Sequence, residues 1–159
     1  MKKILVLALL ATSTVAFAAD KVAQTETPST PKQEAKEKLK DSAGAVKMAK
    51  VFFVEPKDGA TVATKFTVKM GLEGMKLKKA GEDVDNILEG HHHLVVDGKP
   101  VPQGQVVPTD ATHLHFGKAQ TEAELTLAPG KHTLTLQFAD GAHRSFGDKM
   151  SQTIHITVK

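Results

Sequence analysis

Eight histidines carry most of the chemistry this chain could perform, and all of them lie between His91 and His155. Five sit in two tight groups, His91-His92-His93 and His113-Leu114-His115, while His132, His143 and His155 stand alone. Cys, Tyr and Trp are absent. Without cysteine there is no disulfide framework, thiolate metal site, iron–sulfur cluster or catalytic thiol. Imidazole nitrogens are therefore the donors left for a borderline-soft metal ion, and all-imidazole ligation suits Zn²⁺, Cu²⁺ and Ni²⁺, with Cu²⁺ generally the tightest. Calcium or magnesium would need clustered oxygens, and no loop of that kind occurs.

Alternation along a strand sends neighbouring side chains to opposite faces, so each histidine can be assigned a side. In His113 to Phe116, Leu114 and Phe116 form the apolar face, leaving His113 and His115 together on the other. In His91 to Val96, His92 shares parity with Leu94 and Val96, which puts His91 and His93 on the polar face. Residues i and i+2 of a strand are about 6.5–7 Å apart and neighbouring strands about 4.8 Å. If the two segments pair, His91, His93, His113 and His115 occupy the corners of a water-exposed rectangle of that size. Rings tilted inward would then bring nitrogens to about 2 Å from one copper or zinc ion. His143, in the Asp140-Gly141-Ala142-His143 loop, would complete or open the site. The bland alternative is a set of solvated histidines on a sheet face with no discrete ligand.

The remaining histidines read differently. His155 faces solvent, because Ile154, Ile156 and Val158 share the opposite parity. His132 shares parity with Leu134, Leu136 and Phe138, which makes it a structural histidine at the edge of the core. There it should be hydrogen-bonded rather than liganding.

The elements that must position these groups are short strands. Val51–Val54, Phe66–Met70, His91–Asp97, Gln105–Val107, Thr112–Phe116, Glu122–Leu127, Lys131–Phe138 and Ser151–Val158 are separated by turns such as Pro56-Lys57-Asp58-Gly59 and Pro129-Gly130. Lys76 to Gly90 is a polar loop. Seven or eight short strands in about 110 residues, with a turn roughly every ten, predict an all-β, immunoglobulin-like antiparallel sandwich. An open barrel is the other architecture this spacing allows. Leu125-x-Leu127-x-Pro129-Gly130-x-His132 has the form of the corner between late strands of such domains, with His132 where tyrosine often stands.

Three stretches carry a family resemblance: Gly90-His91-His92-His93-Leu94-Val95-Val96-Asp97, His113-Leu114-His115-Phe116-Gly117-Lys118-Ala119-Gln120-Thr121-Glu122, and Pro129-Gly130-Lys131-His132-Thr133-Leu134. Over Val51 to Val158 the chain resembles a bacterial family of exported small domains, the domain-of-unknown-function family numbered 4399. The resemblance implies the β fold and the domain boundaries but no mechanism. Gln120 and Glu122, within its most specific run, could orient a metal-bound imidazole through the second ring nitrogen. Equally, Gln120 and Thr121 could cap exposed backbone in a turn.

Upstream of this domain, Lys2 and Lys3 followed by the apolar stretch Ile4 to Phe17 and by Ala16-Phe17-Ala18 read as a secretory signal over residues 1–19, cleaved near Ala18. The apolar stretch is shorter than the roughly 20 residues a spanning helix needs. Residues 20–48, rich in Lys, Glu, Gln, Pro and Thr, read as a disordered linker, and residues 49–159 as the domain. The expected compartment is a bacterial periplasm, with no membrane span in the mature chain.

The formal charge is +3. Lys2 and Lys3 supply two of those charges, and no basic stripe follows, which argues against nucleic-acid binding. No Ser/His/Asp signature, nucleophile elbow, phosphate-cradling glycine loop or paired-carboxylate motif occurs, so no enzyme is expected. Metal-assisted hydrolysis would need a general base, for which Asp110 or Glu122 are the candidates. Two function classes remain: a metal buffer, carrier or sensor, and an immunoglobulin-like module that binds an envelope protein or peptide without metal.

Overall fold

The computed structural model describes residues 48–159. The expected signal segment and nearly all of the expected linker, through residue 47, lie outside the described residues. Among the described residues nine strands form: β1 (Lys50–Glu55), β2 (Thr61–Val62), β3 (Lys65–Glu73), β4 (Lys76–Leu77), β5 (Glu89–Val96), β6 (His113–His115), β7 (Glu122–Thr126), β8 (Gly130–Ala139) and β9 (Ser151–Val158). A single 3-10 turn at Asp148–Met150 precedes β9. The strands make two sheets, one ordered β1-β3-β7 and the other β2-β9-β8-β5-β4, with β6 also paired to β5.

Period-two alternation accounts for the layering. Val51 and Phe53 of β1, Val68 and Met70 of β3 and Leu125 of β7 face inward from the smaller sheet. They meet Leu94 and Val96 of β5, Leu134, Leu136 and Phe138 of β8, and Ile154, Ile156 and Val158 of β9. The turn at Pro56–Gly59 carries the chain from one sheet to the other. Asp58 accepts the His155 amide at 2.7 Å, and β2 then joins β9 in parallel. The molecule is an immunoglobulin-like β-sandwich.

Several elements differ from expectation: Thr61–Val62 and, at the start of the expected Lys76 to Gly90 loop, Lys76–Leu77 form short strands that pair with β9 and β5. Gln105–Val107 forms no strand, only an isolated bridge between Val106 and Arg144, with Val106 exposed. β5 is buried along its whole length from Gly90 to Val96, on both faces. A strand buried on both faces sits under a third layer, here made of loops. The 78–88 loop is stitched on by Ala80 N–H to Gly117 O and Gly81 N–H to Gly141 O, both 2.9 Å. On the other side Val107 N–H donates to His143 O at 2.9 Å and Gly104 N–H to Ser145 O at 2.8 Å. Val101 and Val107 cover Ala139 beneath them.

Candidate metal centre

The register of β5 decides which histidines meet. Antiparallel pairing sets His93 opposite His115, Leu94 opposite Leu114 and Val95 opposite His113. On its other edge β5 pairs with β8, His91 opposite Ala139 and His93 opposite Gln137. His113 therefore stands beside Val95, one side-chain repeat beyond the His93–His115 pair, and the expected rectangle does not form. His143 fills the vacated place. It arrives from the loop that leaves β8 just past Ala139, the residue across from His91.

Four rings thus pack together, with centroids 4.8 Å apart for His91–His93, 4.9 Å for His91–His115, 4.9 Å for His91–His143 and 4.8 Å for His115–His143. His93 lies near-parallel to His115 at 5.0 Å. The Nε2 atoms of His91 and His93 are 3.0 Å apart, and those of His115 and His143 are 3.2 Å apart. His91, His115 and His143 each offer one ring nitrogen within 4.8 Å of the others.

The cluster is not the water-exposed patch expected from alternation. His91 and His93 are fully buried, whereas His115 is exposed and His143 half-buried. The assignment of His91 and His93 to the face opposite Leu94 holds, but the loops roof that face. Gly117 makes room for one ring: a Cβ there would lie 2.4 Å from His115 Cε1 and 3.1 Å from Ala80 Cβ. The glycine two residues after His115 thus leaves room for the imidazole to lie against the chain.

Burial and mutual repulsion favour the neutral form of His91, His93 and His115. Burial, reinforced by His143 and His115, pushes His91 down to about 4. Burial, reinforced by His91, His115 and His143, pushes His93 down to about 2. His115 is lowered for the same two reasons, burial first and then His143. Neutral imidazole is the ligating form.

The polar balance of the cluster is incomplete. His91 Nδ1 and His93 Nδ1 are buried without a hydrogen-bond partner, which is costly for a buried polar atom. Two imidazole nitrogens bound to one ion at 2.0–2.1 Å lie about 2.9 Å apart in square-planar and about 3.3 Å apart in tetrahedral coordination. The observed Nε2 spacings of 3.0 and 3.2 Å fall in that range. His91, His115 and His143 form a set that could hold a metal ion, with His93 packed against His91 beside them.

The other expected site residues lie elsewhere. His113 is engaged by Asp110, whose carboxylate lies 2.9 Å from His113 Nδ1 and accepts the amides of Thr112 at 2.8 Å and His113 at 2.9 Å. Gln120 Oε1 accepts the Lys118 amide at 2.7 Å, so it shapes its own turn. Glu122 is exposed in β7, paired with Lys69 in the other sheet. Among the described residues no hydrogen bond joins Gln120 or Glu122 to an imidazole.

His132 is hydrogen-bonded on both sides, Nδ1 at 2.7 Å from Asp97 Oδ2 and Nε2 at 3.0 Å from Ala128 O. Both partners are acceptors, so both nitrogens donate and the charged ring is favoured. The Asp97 hydrogen bond, followed by that to Ala128, accordingly raises its pKa. The bond to Ala128, four residues upstream, reproduces the tyrosine corner of immunoglobulin-like domains.

Two acidic residues near the cluster went unrecognised in the sequence. Glu89 shares the face of His91 and His93 by alternation. Its Oε2 is buried without a hydrogen bond, and Lys78 Nζ lies 3.5 Å away. Asp140, only 5% exposed, opens the loop that carries His143. The period-two pattern could have found Glu89. Nothing in the sequence pattern marks Asp140.

Fold and site together define an immunoglobulin-like domain with a loop-roofed histidine cluster on the outer face of its larger sheet. By sequence the chain belongs to the domain-of-unknown-function family DUF4399, whose signature matches residues 68–159. That span holds every histidine of the cluster and begins within β3, later than the resemblance suggested. Comparison with curated proteins gives no match. Among solved structures, the chain is similar to an endo-β-1,4-mannanase from Thermotoga petrophila, at 16% identity and a TM-score of 0.41, covering 70% of this chain and 20% of that one. It is also similar to the fibronectin(III)-like modules of Clostridium thermocellum CbhA, at 14% identity and a TM-score of 0.40, covering 69% of this chain and 96% of that one. Among the described residues no helix is long and apolar enough to cross a membrane.

Proposed function

We propose that this domain binds one transition-metal ion, Cu²⁺ ahead of Zn²⁺, through His91, His93, His115 and His143, as a buffer, carrier or sensor in an exported protein. The observation that carries the reading is the convergence of four imidazoles from three chain segments, with Nε2 spacings of 3.0 and 3.2 Å. The roof keeps the inner two neutral and dry, and the exposed His115 gives an ion a side from which to enter. The signal-like N-terminus supports an extracytoplasmic setting, a bacterial periplasm. The chemistry such an ion would supply is reversible ligation by neutral nitrogens, in competition with protons.

Titration of metal-stripped protein with Cu²⁺ at pH 7.5 and pH 5 tests this reading. Stoichiometric binding at pH 7.5 that weakens only as pH falls towards about 4, where His91 takes up a proton, is the expected result. Absence of tight binding at both pH values removes the proposal.

A further inference from the structure

We propose that Asp140 is the positioning residue that turns His143 into a ligand of the cluster, an inference that rests on the metal reading above. The chain must leave β8 after Ala139, opposite His91, and return a ring to the same face only four residues later. His143 achieves this with a left-handed backbone, φ 67°, which residues other than glycine rarely adopt and which surrounding bonds must hold.

Asp140 supplies those bonds. Its Oδ1 accepts the Ala142 amide and the Arg144 amide, each at 2.9 Å. Its Oδ2 accepts Arg144 Nε at 2.7 Å. The main chain adds Asp140 N–H to Arg144 O at 3.0 Å and His143 N–H to Asp140 O at 2.9 Å. Each of these contacts closes on residues 142–144, so the carboxylate is a clasp around His143. Arg144 extends the clasp outward, donating from Nη2 to Val84 O at 3.1 Å.

The strand histidines are held by the sheet ladder whatever the loop does. His143 has no ladder of its own. Loosening the clasp therefore costs one imidazole and leaves the other three in place.

The test is Cu²⁺ binding to the metal-stripped full chain, with electron paramagnetic resonance of the bound ion to count imidazole nitrogens. It compares wild type, Asp140→Asn, His143→Ala and the double variant, and thermal unfolding checks that each is folded. Asp140→Asn is expected to lower affinity by about ten- to hundredfold, the usual cost of losing an outer partner of a ligand. Its spectrum should shift from the wild-type four-nitrogen pattern to that of His143→Ala. In the His143→Ala background, Asp140→Asn should cost nothing further.

A four-nitrogen spectrum in Asp140→Asn, or an equal loss of affinity with and without His143, overturns the inference while leaving the metal site standing. Wild-type protein that takes up no Cu²⁺ overturns both. If Asp140→Asn does not fold, Arg144→Lys, which removes the Nε contact to Asp140 and the Nη2 contact to Val84 but keeps both amide contacts to Oδ1, carries the same spectral expectation at smaller size.

Discussion

Two groups of histidines in one sheet show how partners, more than residue type, set what an imidazole does. His132, at the corner between β7 and β8, has an acceptor on each nitrogen, and its pKa is raised by Asp97 and then by Ala128. It is a hydrogen-bonded brace. His91 and His93, on the outer face of β5, pack against other histidine rings, and burial drives them down to about 4 and about 2. The first group is complete as it stands. The second brings ring nitrogens against one another and leaves the Nδ1 atoms of His91 and His93 buried without a hydrogen-bond partner.

Breaking that contrast at its deepest point should have the largest effect. Replacing His91 and His93 together with alanine removes both buried donors, and Cu²⁺ affinity should fall at least about a hundredfold, since each lost nitrogen ligand costs on the order of tenfold to hundredfold. His132→Gln should leave affinity unchanged. Isothermal titration of the two variants side by side measures the difference.

Acid should separate the groups next. In metal-free protein the folded pKa values of His91 and His92 are about 4 and that of His93 about 2, against about 6.5 unfolded. Below pH 6.5 the unfolded chain takes up protons that the folded chain refuses, so stability falls as pH drops from 6.5 towards 4, and further for His93. A Tm decrease of about 10 °C or more between pH 7.5 and pH 5 is expected by calorimetry in chelator.

His132 has the opposite sign. Its raised folded pKa makes its contribution fully present below 6.5 and lost as pH rises through the folded value. His132→Gln should therefore destabilise by roughly 1 kcal/mol at pH 6, and by less at pH 9. Parallel denaturant titrations at the two pH values check it.

A subtler change sharpens the same boundary from the backbone. Gly117→Ala places a methyl 2.4 Å from the His115 ring and must push that ring away. Affinity should drop about tenfold, at the lower end of the range for disturbing a ligand's support, with Tm in chelator nearly unchanged.

Much of this arrangement was legible in the residues. Phe66–Met70, Glu122–Leu127, Lys131–Phe138 and Ser151–Val158 alternate so regularly that strand and face follow directly, and the Pro129-Gly130-x-His132 corner marked His132 as structural. Alternation also sorted His91 and His93 from His92, whose ring meets Phe138 edge-on at 5.5 Å on the core side. Register was not legible. Shifting the β5–β6 pairing by two residues keeps every side chain on its face, so hydrophobic patterning cannot tell His93↔His115 from His93↔His113. That shift is what excludes His113 and admits His143.

The roof was equally hidden. Residues 78–88 and 98–110 are polar and irregular, and their docking over β5 rests on single backbone bonds such as Ala80 N–H to Gly117 O, which leave no periodic trace. Gln105–Val107 read as a strand because Val106 and Val107 are β-branched. In place of strand pairing, its amides and carbonyls meet the His143–Ser145 loop.

The most direct measurement is X-ray absorption at the metal edge of the full chain loaded with one equivalent of Cu²⁺, and separately of Zn²⁺, at pH 7.5. Four imidazole nitrogens at about 2.0 Å, falling to three in His115→Ala, would agree with the cluster as the metal site. A shell of oxygens, or one that His115→Ala leaves untouched, would contradict it.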